Sequence, residues 1–357
     1  MLSQSLRHAA LRAACKSFQR SKPLVRALPT RAAAALWTEP LTRAASTSTA
    51  TPFEGFARSF SKQRGSDGTE PPAPKGELNV SKIAVIGGGN MAEAIVTGLL
   101  SQKLVPSEKI VVSDPNPEIR NKYKSKKIGT SDINANAVKG ADVIVLAVKP
   151  QVLNDVMESF AEAMKPDALV LSVVAGATIE NMQSGLGDEA RIIRSMPNTP
   201  AMIGEGTTVW SQSSQVTEEQ HSLTRGILGA FGVEVFVDDE GALDMATALS
   251  GSGPAYFFLV AEAMIDTGVH MGFSRAVATK LVQQTMLGSA LYMQSAEVHP
   301  VVLRNNITSP GGTTAAALYR AEKNGFRAVI ADSIWAAYER CMELGSPVPV
   351  MRKRPRS

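Results

Sequence analysis

The stretch Ser81-Lys82-Ile83-Ala84-Val85-Ile86-Gly87-Gly88-Gly89-Asn90-Met91-Ala92 limits what this chain can fold into more than any other. A short Val/Ile-rich run, then glycines, then apolar residues at helical spacing through Leu100, predicts a buried strand, a tight turn and a helix folded back on that strand. The glycines follow the form G-x-G-x-x-A. Gly87 permits the turn, Gly88 and Gly89 carry no side chain to block a ligand, and Ala92 allows close packing of helix on sheet. The N–H groups at the start of that helix, through Asn90 and Met91, are free to face an anion. The stretch therefore predicts a seat for a dinucleotide pyrophosphate; a glycine turn that only reverses the chain is the competing reading.

With 357 residues, 44% of them hydrophobic, the chain has material for about two domains with sizeable cores. No uninterrupted apolar run approaches the roughly 20 residues that span a bilayer, so no membrane partner is expected. The net charge of +4 is unevenly spread, with much of the excess in the two tails. The basic stretch Met351-Arg352-Lys353-Arg354-Pro355-Arg356-Ser357 reads as a solvated tail, and nothing aromatic interleaves with it as base stacking would require, so no nucleic acid is expected. Cys15 and Cys341 stand alone toward opposite ends of the chain, which argues against a disulfide framework and against a cysteine-ligated metal.

Residues 1–80 do not read as fold. No acidic residue precedes Glu39, whereas Arg7, Arg12, Lys16, Arg20, Lys22, Arg26 and Arg31 recur among Ala, Leu and Ser, the composition of an organellar transit peptide. A mitochondrial address is expected; a plastid address, or a cytoplasmic protein with a disordered extension, shares that composition. Ala45 to Pro52 and Gly65 to Pro74 have too few large apolar residues to form a core and read as linker.

From Ser81 to about residue 241, strand and helix signals alternate, which selects a parallel sheet covered on both faces. Lys109 to Asp114 is a second strand with Asp114 at its carboxyl end, where an acidic side chain accepts from the adenosine ribose of NAD and repels the extra phosphate of NADP. Arg120, Lys122, Lys124, Lys126 and Lys127 follow closely and could offset that repulsion, so NADPH and NADH both stay open. Ala141 to Val148 is a near-continuous apolar strand leading to Lys149 and Pro150, and Ala168 to Ala175 is another that ends in small residues. Ala147, Val148, Lys149 and Pro150, like Val173, Val174 and Ala175, thus fall at strand ends, where ligands of open α/β sheets bind. Arg191 to Pro200 forms a further strand and a proline-punctuated loop.

From about Ala242 long helical patterns take over, through residue 346, with a basic tail over 347–357. Leu249 to Tyr256 is a small-residue entry to an apolar helix, and Arg275 to Gln294 is a second. Helices this apolar need partners, which predicts an oligomer built through this domain. Asn305-Asn306-Ile307-Thr308-Ser309-Pro310-Gly311-Gly312-Thr313-Thr314 then gives way to an alanine-rich helix. Its start presents N–H groups from Gly312 onward and two hydroxyls, a setting that favours a carboxylate; an ordinary helix start after a turn is the competing reading.

Gly87 to Ala92, Ala147 to Pro150, Met196-Pro197-Asn198-Thr199-Pro200, Leu249-Ser250-Gly251-Ser252-Gly253-Pro254-Ala255-Tyr256 and Ser309 to Thr314 occur in the order found in pyrroline-5-carboxylate reductases, and from about Lys82 to Leu344 the chain resembles that family. The resemblance implies an α/β fold, with an N-terminal Rossmann-type doubly wound domain (81–241) followed by an all-α dimerisation domain (242–346). It implies reduction of 1-pyrroline-5-carboxylate to L-proline with NADPH or NADH, and a homodimer or a larger assembly of dimers. It implies cofactor contacts at Asn134, Val148, Lys149, Val173 to Ala175 and Asn306, and substrate contacts at Gly312, Thr313 and Thr314, with Glu240 and Glu297 where the family has acidic residues near the substrate. Thr314 is the expected hydrogen-bond partner of the imine nitrogen. Asp114 stands where several NADPH-preferring members have Ser. Another NAD(P)H-dependent imine reductase or a 3-hydroxy acid dehydrogenase would share the first domain, but would leave Ser309 to Thr314 unexplained.

Overall fold

A computed structural model describes residues 76–296 and 298–345. The expected transit peptide and most of the linker, Glu297 and the basic tail lie outside the described residues. Packing begins slightly before Ser81, because Leu78 and Val80 are already buried and the Leu78 N–H donates to the Leu104 carbonyl (2.8 Å).

The strands are β1 (Ile83–Ile86), β2 (Ile110–Ser113), β3 (Gly129–Ser131), β4 (Val143–Leu146), β5 (Leu169–Ser172), β6 (Arg191–Met196), β7 (Gly206–Gln212) and β8 (Gly232–Phe236). They form one sheet in the order β3-β2-β1-β4-β5-β6-β7-β8. β1 pairs in parallel with both β2 and β4, Ile83 standing opposite Ile110 and Val143. The order reverses at β1, between β2 and β4, which makes the end of β1 the point where an open sheet of this kind binds ligands.

Side chains alternate across the sheet and split the core in two. Ile83 and Val85 pack with Ile95 and Leu99 of helix α1 (Asn90–Ser101), and Ala84 and Ile86 pack on the other face with Val138, Met157 and Met182. Ile95, Val96 and Leu99 are fully buried, each worth about 1.5–3 kcal/mol. The approach of α1 depends on Gly98, whose added Cβ would come within 2.7 Å of the Ala230 carbonyl oxygen. The remaining helices of this layer are α2 (Pro117–Lys124), α3 (Asn134–Val138), α4 (Leu153–Glu158), α5 (Ile179–Leu186) and α6 (Glu218–Gly229).

The sheet departs from the all-parallel expectation at one place. β7 runs antiparallel to β6, because the short 197–205 connection contains only a 3₁₀ turn, too short for a crossover, before β8 rejoins in parallel. The apolar spacing of Val152 to Met164 predicts a single helix, but the segment is broken into α4 and 3₁₀ turns at Pro150–Val152 and Ala161–Ala163.

Beyond residue 241 only helices follow: α7 (Ala242–Ala246), a π turn (Thr247–Gly251), α8 (Gly253–His270), α9 (Arg275–Ser295), α10 (Pro300–Asn306), α11 (Thr313–Lys323) and α12 (Phe326–Gly345). The run 242–270 is long and apolar enough to cross a bilayer by length and composition, although it is not an uninterrupted apolar run. The sequence pattern hid it because Asp244, Glu262 and Asp266 interrupt the apolar residues. In α8 only Gly253 and Gly268 are buried, while Phe257, Phe258 and Leu259 are exposed. Between α8 and α9 lies an apolar groove of about 530 Å³, lined by Met264, Met271, Leu281 and Val282 among others.

Candidate active site

The carboxyl ends of β1, β2, β4, β5 and β6 form one rim, and the turns that leave them carry most of the residues singled out from sequence. Gly87 adopts φ +91°, a conformation L side chains rarely reach, and an added Cβ would stand 2.5 Å from the Ala147 carbonyl oxygen. Gly88 is enclosed by Ile119 and Tyr123. Gly89 caps α1 with no side-chain hydrogen bond, and an added Cβ there would meet nothing within 4 Å. The turn thus divides its labour. Gly87 and Gly88 are glycine because the protein crowds them, whereas Gly89 faces open space beside the free N–H groups of Asn90, Met91 and Ala92.

Asp114 braces this turn. It is only 8% exposed, its Oδ2 accepts from the Gly88 N–H (2.9 Å), and its Oδ1 accepts from the Asn116 N–H (2.8 Å). The buried Tyr123 hydroxyl donates to the Gly88 carbonyl (3.1 Å), and its pKa is raised, first by burial and then by the charges of Glu93 and Asp114. Of the following cations, Lys122 and Lys126 pair with Glu93 in the first turn of α1 (2.5 and 3.2 Å). The Lys122 hydrogen bond leads the effects that hold the Glu93 carboxyl below its ordinary range. These pairs place two cations beside an acidic side chain that would otherwise oppose an anion at the helix start. Arg120 donates to the Asp114 and Pro115 carbonyls (2.7 and 2.8 Å).

Asn134 opens α3 behind the end of β2, accepting from the Ser113 hydroxyl (2.7 Å) and donating to the Ser159 hydroxyl (2.9 Å). Ala147 and Val148 are partly buried and Lys149 and Pro150 exposed at the end of β4; Val173, buried Val174 and exposed Ala175 follow β5. A nicotinamide dinucleotide fits this rim. The uncapped helix start beside Gly89 suits a pyrophosphate, and the small residues after β5 leave room for a flat ring.

The second cluster is the 306–314 stretch. Gly311 adopts φ +70° and Gly312 caps α11 with no side-chain hydrogen bond. By contrast α2, α5, α6 and α9 are capped by the side chains of Asn116, Thr178, Thr217 and Ser274. The first intrahelical bond runs from the Ala316 N–H to the Gly312 carbonyl (3.2 Å), so the N–H groups of Thr313, Thr314 and Ala315 point out of the helix end. Among the described residues the hydroxyls of Thr313 and Thr314 have no hydrogen-bond partner. Asn306 is exposed at the end of α10.

Glu240 has a different setting. Its Oε1 accepts from Arg194 Nη1 and from the Ile179 N–H, both at 2.9 Å, and Arg194 Nη2 donates to Asp244 Oδ1 (2.8 Å). Arg194, 6% exposed on β6, therefore ties the sheet to the first helical segment through two carboxylates. Oε2 of Glu240 has no hydrogen-bond partner among the described residues. Arg194, Asp244 and Tyr123 were not singled out from sequence; Arg194 is signalled there only as a cation directly after the apolar pair Ile192-Ile193 of a buried strand.

Comparison with known proteins agrees with this division. Residues 240–344 match the family model described as pyrroline-5-carboxylate reductase dimerisation, and residues 82–176 match the one described as NADP oxidoreductase, coenzyme F420-dependent. The pyrroline-5-carboxylate reductase of Pseudomonas aeruginosa is 42% identical over 268 residues, covering 75% of this chain and 98% of that protein. The crystal structure of Plasmodium falciparum pyrroline carboxylate reductase with NADP bound superposes with a TM-score of 0.70 at 31% identity, over 76% of this chain and 100% of that one. The Coxiella burnetii enzyme gives a TM-score of 0.71 at 35% identity, over 75% and 100%.

Proposed function

The chain belongs to the pyrroline-5-carboxylate reductase family, and from that premise we propose which of its residues carry the reaction. The enzyme reduces 1-pyrroline-5-carboxylate to L-proline with NAD(P)H. The bound cofactor supplies the hydride that the imine carbon receives. The task left to the chain is to hold a planar cyclic imine in register and to favour its protonated or hydrogen-bonded form, which is the more electrophilic one.

The turn from Gly87 to Ala92 holds the pyrophosphate, and Asp114 and Asn134 lie along the adenosine side. Ala147 to Pro150 and Val173 to Ala175 line the path toward the nicotinamide, with Asn306 beside it. The N–H groups of Thr313, Thr314 and Ala315 bind the substrate carboxylate, as a helix start favours an anion. Thr314 Oγ hydrogen-bonds the imine nitrogen, and Thr313, Glu240 and Glu297 complete the substrate surroundings. The observation that carries this reading is the pair of glycine-capped helix starts, at Gly89 and Gly312, each leaving its first-turn N–H groups for a ligand.

The remaining proposals follow from the same residues. The oligomer is a homodimer whose contacts cover the apolar faces of α8 and α9, and the protein needs no membrane. The residues before the folded part, 1–75, act as a mitochondrial transit peptide and linker, a reading supported by the Arg-rich composition with no acidic residue before Glu39. Asp114 favours NADH over NADPH. Thr314→Ala tests the substrate assignment: kcat/KM for 1-pyrroline-5-carboxylate falls at least tenfold while the cofactor Kd stays within about twofold, and near-normal catalytic efficiency would overturn it.

A further inference from the structure

Asn198, in the loop that leaves β6 on the ligand-binding rim, spans two parts of the chain. Its Oδ1 accepts from the Thr207 N–H (2.9 Å) at the start of β7, and its Nδ2 donates to the Ser250 carbonyl (3.1 Å). Ser250 belongs to the π turn Thr247–Gly251, which interrupts the helical run 242–270. In an α-helix that carbonyl would accept from residue 254, but Pro254 has no N–H. In a π-helix it would accept from residue 255, but the Ala255 N–H is given to the Ser252 carbonyl (3.0 Å). The Ser250 carbonyl is thus orphaned within its own helix, and the donor comes from the sheet.

A second carbonyl of the turn is likewise held by a side chain. The Ser252 N–H goes to the Thr247 carbonyl (2.8 Å), one residue further than α geometry, and the Ala248 carbonyl accepts instead from the Tyr256 hydroxyl (3.1 Å). At Gly251 an added Cβ would stand 3.0 Å from Met196 Cε, so the turn lies directly on the end of β6. Two carbonyls of this irregular turn are therefore held by side chains, and the one reaching across from the rim is Asn198.

We propose that Asn198 is a positioning residue for imine reduction. By supplying the donor that Pro254 removes, it fixes the π turn against the end of β6, and so sets where the helical region stands relative to the glycine turn that seats the cofactor. The inference rests on the assignment of these two regions given above. It requires a side chain that donates to one region while accepting from the other, which Asn does and an isosteric carboxylate does not.

Asn198→Asp keeps the size of the side chain and its acceptor for the Thr207 N–H, but turns the donor facing Ser250 into an acceptor. The expected result is a kcat lowered at least tenfold, with the cofactor Kd measured by fluorescence within about twofold of wild type. The decisive arm is a double-mutant cycle with Pro254→Ala, which returns an N–H to residue 254. The fold-loss caused by Asn198→Asp is expected to shrink severalfold in the Pro254→Ala background, a coupling that a general loss of stability would not produce. Unchanged kcat in Asn198→Asp, or an equal fold-loss in both backgrounds, overturns the proposal. Should Asn198→Asp not fold, Asn198→Ser replaces it in the same cycle and is judged the same way. Wild-type turnover in the parallel assay keeps the two readings apart, since its absence would count against the reaction itself and not against Asn198.

Discussion

Two single-methyl substitutions in the glycine turn distinguish a cofactor seat from a turn that only reverses the chain. In Gly87→Ala the new Cβ would stand 2.5 Å from the Ala147 oxygen and 2.9 Å from its carbonyl carbon, both backbone atoms just past β4, at φ +91°. The left-handed conformation costs about 1–2 kcal/mol for a non-glycine residue, and overpacking adds about 1–3 kcal/mol. The sum of about 2–5 kcal/mol corresponds to a fall in Tm of roughly 4–20 °C for a folded region of this size. In Gly89→Ala the Cβ meets no protein atom within 4 Å and φ is −70°, so the apo protein should lose only about 0.5–1 kcal/mol, the difference between Gly and Ala at a helix N-cap. In the proposed cofactor seat, that methyl would instead occupy the open space assigned to a phosphate. Loss of one charge-assisted hydrogen bond, about 1.5–3 kcal/mol, weakens NAD(P)H binding by about 10- to 150-fold. Differential scanning calorimetry of the apo proteins and cofactor titration by fluorescence read the two effects separately. A Gly89→Ala protein with wild-type Kd would refute the assignment of the turn.

Two further outcomes follow from other parts of the molecule. Asp142 joins the start of β1 to the segment before β5, accepting from the Ser81 and Lys82 N–H groups (2.5 and 3.3 Å) and from Lys165 (2.6 Å). Partial burial pushes its pKa up, but the Lys165 contact and the two backbone N–H groups outweigh this and leave it below 3.8. A carboxyl depressed on folding contributes stability above its unfolded pKa and loses it as pH falls through the folded value. Asp142→Asn should therefore flatten the acid limb of a Tm-against-pH curve below about pH 4, by less than about 1 kcal/mol for so exposed a pair; an unchanged acid limb would contradict this. Leu281 lines the apolar groove between α8 and α9 and is half exposed in a single chain. Leu281→Glu would bury an unpaired carboxylate in the proposed dimer contact and should weaken association at least a hundredfold by analytical ultracentrifugation; an unchanged dimer would show that the groove is not at the contact.

How much of this was legible in the sequence depended on how local the determinants were. The strand–turn–helix at Ser81 to Ser101 was readable because the hydrophobic period, the glycines and the fit of Ala92 lie within one contiguous stretch. The parallel strands β4 and β5 were readable for the same reason, as short buried runs stopped by Pro150 and by small residues. The role of Asp114 was only half visible: its place at a strand end could be read, but its bond to the Gly88 N–H depends on the parallel pairing of β1 with β2. The basic run after it read as a possible solvated face, yet Lys122 and Lys126 reach Glu93 because α1 and α2 lie on one face of the sheet. Strands β7 and β8 escaped because the sheet reverses direction at a 3₁₀ turn, where the strand–helix rhythm fails. The π turn escaped because Ser250 to Gly253 carry no apolar stripe in which the phase shift of one inserted residue would show, although Pro254 following this small-residue run was its trace. Glu240 could be placed by resemblance, while its bond to Arg194 could not, since strand and helix meet only in the fold.

The central claim is that the glycine turn and the 306–314 stretch serve one hydride transfer to a cyclic imine. The most direct measurement is absorbance at 340 nm for the purified protein with 1-pyrroline-5-carboxylate and either NADH or NADPH, with proline quantified in parallel. The account predicts cofactor oxidation that depends on the imine and matches proline formed one for one, faster with NADH than with NADPH. Imine-independent oxidation, or none with either cofactor, would contradict it.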